Sequence, residues 1–168
     1  MEQRDALVRE EFTRQADAMS AAALFNDETI LARICDGARL NSRMRALDVG
    51  CGPGIVTEAL ARHAGEVIGC DLTPAMLARV KPRPNVQVFQ GDAAQLPLKD
   101  GEFDATSAYS FFHHLEDLRP VLKEVHRVLR PGGGLYVDLE PNRHFWRSIM
   151  DVKHQVAPQS DRLVQDEV

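Results

Sequence analysis

Between Ala46 and Glu58 the chain reads Ala-Leu-Asp-Val-Gly-Cys-Gly-Pro-Gly-Ile-Val-Thr-Glu. A short apolar run ends in glycines at alternate positions, and the apolar spacing then changes from strand-like to helix-like. No other stretch limits the fold as much. Gly50, Gly52 and Gly54 permit backbone angles and close approach that a Cβ would forbid, so whatever binds here touches main chain. Pro53 has no N–H to lose and suits the first turn of the following helix, whose free N–H groups and positive dipole end would face a carboxylate or phosphate. The corner reads as an anion pocket. A tight turn without a ligand is the alternative reading of the glycines alone.

Two acidic residues favour the ligand. Asp71 follows Gly50 by 21 residues and closes a second apolar run, Glu66-Val67-Ile68-Gly69-Cys70. At the tip of the adjacent parallel strand, its carboxylate is placed to accept hydrogen bonds from both ribose hydroxyls of an adenosine-type ligand. A third run, Val86-Gln87-Val88-Phe89-Gln90, leads into Gly91-Asp92-Ala93, where Asp92 is expected to accept from an adenine amino group.

Strand and helix patterns alternate along the chain, which predicts an α/β fold with a Rossmann-like, doubly wound parallel sheet. Residues 2–19 read as a helix with Leu7, Val8, Phe12 and Met19 near helical spacing. A second helix is predicted from Asn26 or Asp27, with Ile30, Leu31, Ile34 and Cys35 as its apolar stripe and Gly37 as its stop. The first strand spans about 44–49. Ile55, Val56, Ala59 and Leu60 line a helix expected to end at Gly65, and Thr73-Pro74 opens another through about Val80. The fourth strand is expected over 103–107. Leu118, Val121, Leu122, Val125, Val128 and Leu129 then give the clearest helical period, broken by Arg130-Pro131-Gly132-Gly133-Gly134 before a fifth strand, Leu135–Leu139. A short helix over 146–153 is the last element expected.

Leu47-Asp48-Val49-Gly50-Cys51-Gly52-Pro53-Gly54, Asp71, Gly91-Asp92-Ala93, Phe103-Asp104, Phe112-His113-His114-Leu115 and Leu129-Arg130-Pro131-Gly132-Gly133 occur in order over residues 44–139. In these motifs the chain resembles the class I S-adenosylmethionine-dependent methyltransferases of the small-molecule branch, the group similar to quinone-biosynthesis C-methyltransferases. The resemblance implies strand order 3-2-1-4-5 and three regions: an N-terminal helical cap (1–40), a cofactor-binding core (41–140) and a C-terminal extension (141–168). It implies S-adenosylmethionine as cofactor, held by Asp48, Gly50, Cys51, Gly52, Gly54, Asp71, Leu72, Gly91, Asp92, Ala93 and Tyr109. It also implies that Phe12-Thr13-Arg14-Gln15-Ala16 lies over the pocket, where an ordinary packing helix is the alternative.

Methyl transfer from a sulfonium is a single in-line displacement, so the protein chiefly holds donor and acceptor close, aligned and dry, with no metal needed. Tyr109, Phe111 or Phe112 offer ring faces to the sulfonium, with core packing the expected role for at least two of them. His113 and His114 are the candidate catalytic pair, one imidazole taking a proton from the acceptor. In the resembled family a histidine pair at this place also serves a structural or cofactor-loop role, and both readings stand. Adjacent histidines point different ways, and no H-E-x-x-H spacing occurs, so a metal site is not expected. Arg143, His144 and Trp146 either line the acceptor mouth or belong to an exposed loop.

A nicotinamide dehydrogenase is the rival enzyme, but its fingerprint requires a third glycine where this chain has Ile55. A domain that binds the nucleoside ligand without turnover, alone or with a partner, is the rival outside the enzymes. A net charge of −5 without a long Lys/Arg block argues against nucleic acid and membrane surfaces as partners. With no signal-peptide pattern, and with three cysteines that form no C-x-x-C pair, the expected location is the cytoplasm. Cys35, Cys51 and Cys70 read as small apolar filler. Residues 140–168 show no pair of strand patterns for the C-terminal antiparallel hairpin that the resembled fold carries. The fifth strand is thus expected to be an open edge, in a chain that is either truncated or completes its sheet as a homodimer.

Overall fold

The computed structural model describes residues 6, 9–14, 16, 28–37 and 39–140. After a helical stretch at residues 9–14 come α1 (Glu28–Gly37), β1 (Arg45–Val49), α2 (Ile55–Leu60), β2 (Glu66–Asp71), α3 (Pro74–Leu77) and β3 (Val86–Gln90). They are followed by β4 (Phe103–Tyr109), a 3₁₀ turn (Phe112–His114), α4 (Arg119–Val128) and β5 (Leu129–Asp138). The strands form one five-stranded sheet of order β3-β2-β1-β4-β5, every pair parallel, as the sequence predicts.

Side chains alternate between the two faces of each strand, so one short strand feeds two cores. From β1, Leu47 and Val49 enter a layer with Ile68, Cys70 and Ala108 that is covered by Val121, Val125 and Val128 of α4. Ala46 enters the other layer with Val67, closed by Val56 and Leu60 of α2 and Ile34 of α1. Each fully buried Val or Leu contributes about 1.5–3 kcal/mol, and four of the five β1 residues are buried. β1 is therefore the fixed axis of the molecule. It has β2 on one side and β4 on the other, so the loops leaving β1 and β4 diverge and open a crevice at the strands' C-terminal ends.

Several boundaries differ from the sequence reading. The helix after the glycine turn ends at Leu60, short of Gly65, because the Asn85 amide donates to the carbonyls of Ala61 (2.9 Å) and Ala64 (3.1 Å) and holds those residues in turns. α3 stops at Leu77 rather than near Val80. β4 runs to Tyr109 through its pairing with Asp138. β5 starts at Leu129, not Leu135: Leu129 pairs with Phe103, and the register shift before Ala105 absorbs the Arg-Pro-Gly-Gly-Gly segment into the strand. A Cβ on Gly133 would lie 2.9 Å from the Asp104 carbonyl oxygen, and Arg130 pairs with Asp104 at 2.7 Å, so the segment that reads as a breaker is packed against β4.

No helix among the described residues is long and apolar enough to cross a membrane. The expected caps at Asn26 and Asp27, the side chains of Ile30 and Leu31, the ends of the first helix, residues 146–153, and Arg143, His144 and Trp146 lie outside the described residues, as does the region of the C-terminal hairpin. Among the described residues, β5 pairs with β4 alone.

Candidate functional site

The loops after β1, β2, β3 and β4 converge on one cavity, and Phe12 from the N-terminal helical stretch closes its wall. Asp48, Gly50, Cys51, Gly52, Asp71, Leu72, Gly91, Asp92, Ala93, Tyr109 and His114 all line it. Gly54 and His113 are the residues of the expected set that do not. Gly54 is the N-cap of α2 with φ 88°, and a Cβ there would lie 2.8 Å from the Val80 side chain, so its part is packing. Pro53 precedes this cap rather than sitting in the first turn, because α2 begins at Ile55.

The glycine loop is wound onto the neighbouring strand. The N–H groups of Gly50 and Cys51 both donate to the Cys70 carbonyl, at 2.8 and 3.0 Å. Gly52 (φ 53°) donates its N–H to Asp71 Oδ2 at 2.9 Å, and Thr73 donates to Asp71 Oδ1 at 2.8 Å. The anion that this loop meets is therefore the protein's own carboxylate. A Cβ on Gly50 would fall 2.2 Å from the Phe111 ring, whereas one on Gly52 would meet nothing within 4 Å. Gly52 thus marks open space beside the cavity that any other residue would begin to fill.

The cavity is acidic. Asp48, Asp71 and Asp92 line it, with no lysine or arginine lining it among the described residues. Asp48 is fully buried and accepts the hydroxyls of Thr57 (2.6 Å) and Ser107 (2.7 Å). Burial pushes its carboxyl up to about 6, with the two hydroxyl bonds pulling the other way and the Asp71 charge adding to the rise. Burial also raises Asp71, against the amide bonds that favour its anion. Asp92 Oδ1 accepts the Ala94 N–H at 2.8 Å. Cys70 is pushed up to about 12 and Cys51 well above its usual range, in each case first by burial and then by the aspartates. Both thiols stay protonated and serve as wall.

The loop after β4 supplies the opposite wall. Ser110 takes a left-handed φ of 52°. Next come three successive N–H groups that converge on the Glu140 carboxylate: Phe111 (2.6 Å) and Phe112 (2.8 Å) on Oε1, and His113 (2.9 Å) on Oε2. His113 Nδ1 also lies 2.8 Å from Oε2, and the Glu140 side chain is 2% exposed. His114 instead faces the cavity, edge-on to the Phe12 ring at 4.9 Å and 89°. Burial lowers its affinity for a proton, His113 lowers it further, and Glu140 partly compensates, so His114 is neutral at pH 7. The expected histidine pair is thus divided between cavity and loop. Phe112 is core, Tyr109 is both core and wall, and Phe111 covers Gly50. Among the described residues there is no cluster of three or more His, Cys, Asp or Glu able to hold a metal.

Sequence reasoning missed Glu140, Thr57 and Ser107. Nothing near them in the chain signals a partner, since Ser107 lies 59 residues from Asp48 and Glu140 lies 27 from His113. Thr73 and Met76, also on the wall, follow Asp71 so closely that proximity alone was a signal.

Comparison with known proteins places these features in context. Residues 47–137 match a family model described as a methyltransferase domain. The chain is 38% identical over 108 residues to the demethylmenaquinone methyltransferase of Staphylococcus saprophyticus, an alignment covering 60% of this chain and 46% of that protein. It is 40% identical over 98 residues to a probable S-adenosylmethionine-dependent methyltransferase of Mycolicibacterium smegmatis, covering 58% and 38%. The crystal structure of the YcgJ protein of Bacillus subtilis superposes with a TM-score of 0.60 at 28% identity, covering 74% of this chain and 57% of that one. The chain spans less than half the length of these two curated relatives.

Proposed function

The chain belongs to the methyltransferase-domain family, and on that premise we propose that its cavity binds S-adenosylmethionine and serves methyl transfer to a small-molecule acceptor. The observation that carries this reading is the charge of the wall: among the described residues it holds three aspartates and no lysine or arginine. Such a wall favours a ligand bearing a sulfonium and an ammonium, and repels the diphosphate of a nicotinamide dinucleotide. The open cradle at Gly52 and the Asp71 carboxylate on the cavity wall fit an adenosine with its amino-acid tail.

In this reading Asp71 accepts the ribose hydroxyls and Asp92 the adenine amino group. Main chain from Gly50 to Gly52 follows the amino-acid end, and Asp48 supplies negative charge beneath it. When bound there, S-adenosylmethionine would supply an electrophilic methyl carbon on a sulfonium, a good leaving group, and Asp71, Asp92 and the Gly50–Gly52 main chain would hold and orient it. Neutral His114 stands ready to take the proton the acceptor releases, and Phe12, Phe111 and Leu115 exclude water from that side. His113 points into the loop and holds it.

Calorimetric titration with S-adenosylhomocysteine, run beside NAD, tests the proposal. Micromolar binding of the first and none of the second is expected. Binding of NAD, or of neither, by folded protein would overturn it.

A further inference from the structure

The buried Glu140 carboxylate, beside the cavity, is left without a task by the reading above. It follows β5, and its place in the hydrogen-bond pattern is unusual. The β4–β5 ladder ends where the Ser110 N–H meets the Asp138 carbonyl at 3.0 Å. Beyond that point the next three amides of the β4 side turn away from any strand partner and close on one anion. Successive N–H groups that converge in this way form a nest, and here the protein fills its own nest. Both oxygens are used, and the second also receives the His113 ring. The His113 ring lies against His114 with centroids 3.9 Å apart.

We infer that Glu140 is the positioning residue of this site: its carboxylate winds the loop after β4, fixes His113 with Nδ1–H turned toward it, and through that ring sets His114 on the cavity wall. Glu140 does not line the cavity itself and acts only through the loop. A carboxylate suits the task because it only accepts, and each of its neighbours here donates. Glutamine keeps the shape but turns an NH₂ toward two donors on the His113 side. Alanine empties the nest. Gln and Ala therefore divide the loop into separately testable halves.

Nitrogen-detected NMR and amide exchange on the whole chain at pH 8 test this without any ligand. In the unsubstituted protein His113 is expected as the Nδ1–H tautomer, with the Phe111, Phe112 and His113 amides protected. In Glu140→Gln the His113 amide loses at least tenfold in protection and the ring leaves that tautomer, while Phe111 and Phe112 keep theirs. In Glu140→Ala all three amides open. Because the Glu140 charge supports protonation of His114, both variants are expected to shift the His114 titration to lower pH, which a passive filler would not do. An Nε2–H tautomer or unprotected amides in the unsubstituted protein overturns the inference, and needs no variant to fold. So does a Gln variant with an unmoved His114 titration.

A second arm rests on the proposed cofactor reading: S-adenosylhomocysteine affinity is expected to fall several-fold in Gln and further in Ala. Failure of the unsubstituted protein to bind it would fault the cofactor assignment alone and leave the spectroscopic arm to decide on Glu140.

Discussion

The two walls of the cavity are held by different means. On the β2–β3 side two carboxylates each take an amide from two residues on, Asp71 from Thr73 and Asp92 from Ala94, and Asp71 takes a further one from Gly52 of the glycine loop. On the β4–β5 side the loop at 110–115 is held by Glu140, 27 to 29 residues away, and faced by Phe12 from the start of the chain. The first wall is turn chemistry that any short segment of this composition reproduces. The second exists only once the sheet has formed. A family can keep the first wall constant and vary what the second admits.

Asp48 sits at the seam, taking one hydroxyl from Thr57 in α2 and one from Ser107 in β4. Its effect on stability is expected to be the largest. Because the folded state lifts this carboxyl from 3.8 to about 6, the native protein holds the proton more tightly than the unfolded chain between those values. Stability from this group is full below pH 4 and falls as pH rises through 6, by about 3 kcal/mol. Urea unfolding from pH 4 to 7 is expected to show that decline, and Asp48→Asn to flatten it. A slope that survives the substitution would show that the two walls do not meet through this charge.

Next in size is Asp71→Ala, which removes a charged acceptor from the ligand and from two amides. It is expected to weaken S-adenosylhomocysteine binding by about 100-fold, as charge-assisted hydrogen bonds are worth about 1.5–3 kcal/mol each. His113→Ala, on the far wall and off the cavity, is expected to cost less than about tenfold. Equal dissociation constants for the unsubstituted protein and the Asp71 variant would remove the ribose assignment.

The glycine loop sharpens the contrast at a smaller scale. Gly50→Ala drives a Cβ into the Phe111 ring where the two walls touch, and its cost of about 2 kcal/mol is expected in stability. Gly52→Ala meets no protein atom within 4 Å. It is expected to cost about 1 kcal/mol in stability for its left-handed φ, and to show its main effect on binding. Thermal melts and titrations on the pair separate the outcomes, and identical profiles would mean that Gly52 does not face the ligand.

Legibility followed the same division. β2, with an unbroken apolar centre, and β3, where Val86, Val88 and Phe89 stand among glutamines, could be bounded from sequence because each leaves a local mark between turn residues. So could the acidic residues at their tips. β5 was misjudged at its start because Pro131 and three glycines read as a breaker, while its actual place is decided by Phe103 and Asp104 across the sheet. The end of α2 was misjudged because the Asn85 side chain that holds the carbonyls of Ala61 and Ala64 in turns beyond it arrives from 24 and 21 residues away. The sequence marks His113 and His114 as adjacent candidates, but His114 lines the cavity while His113 turns to Glu140, 27 residues on, and no periodicity encodes that division.

The two amides on Asp71 have a consequence for how fast and how tightly a ligand is taken up. With Gly52 and Thr73 each holding one oxygen, the carboxylate has already surrendered its rotamer freedom during folding. No side-chain ordering remains to be charged against association at this point. A ligand meeting this wall finds a carboxylate already in place, so no side-chain rearrangement there slows its arrival, and its residence time rests on the hydrogen bonds it forms.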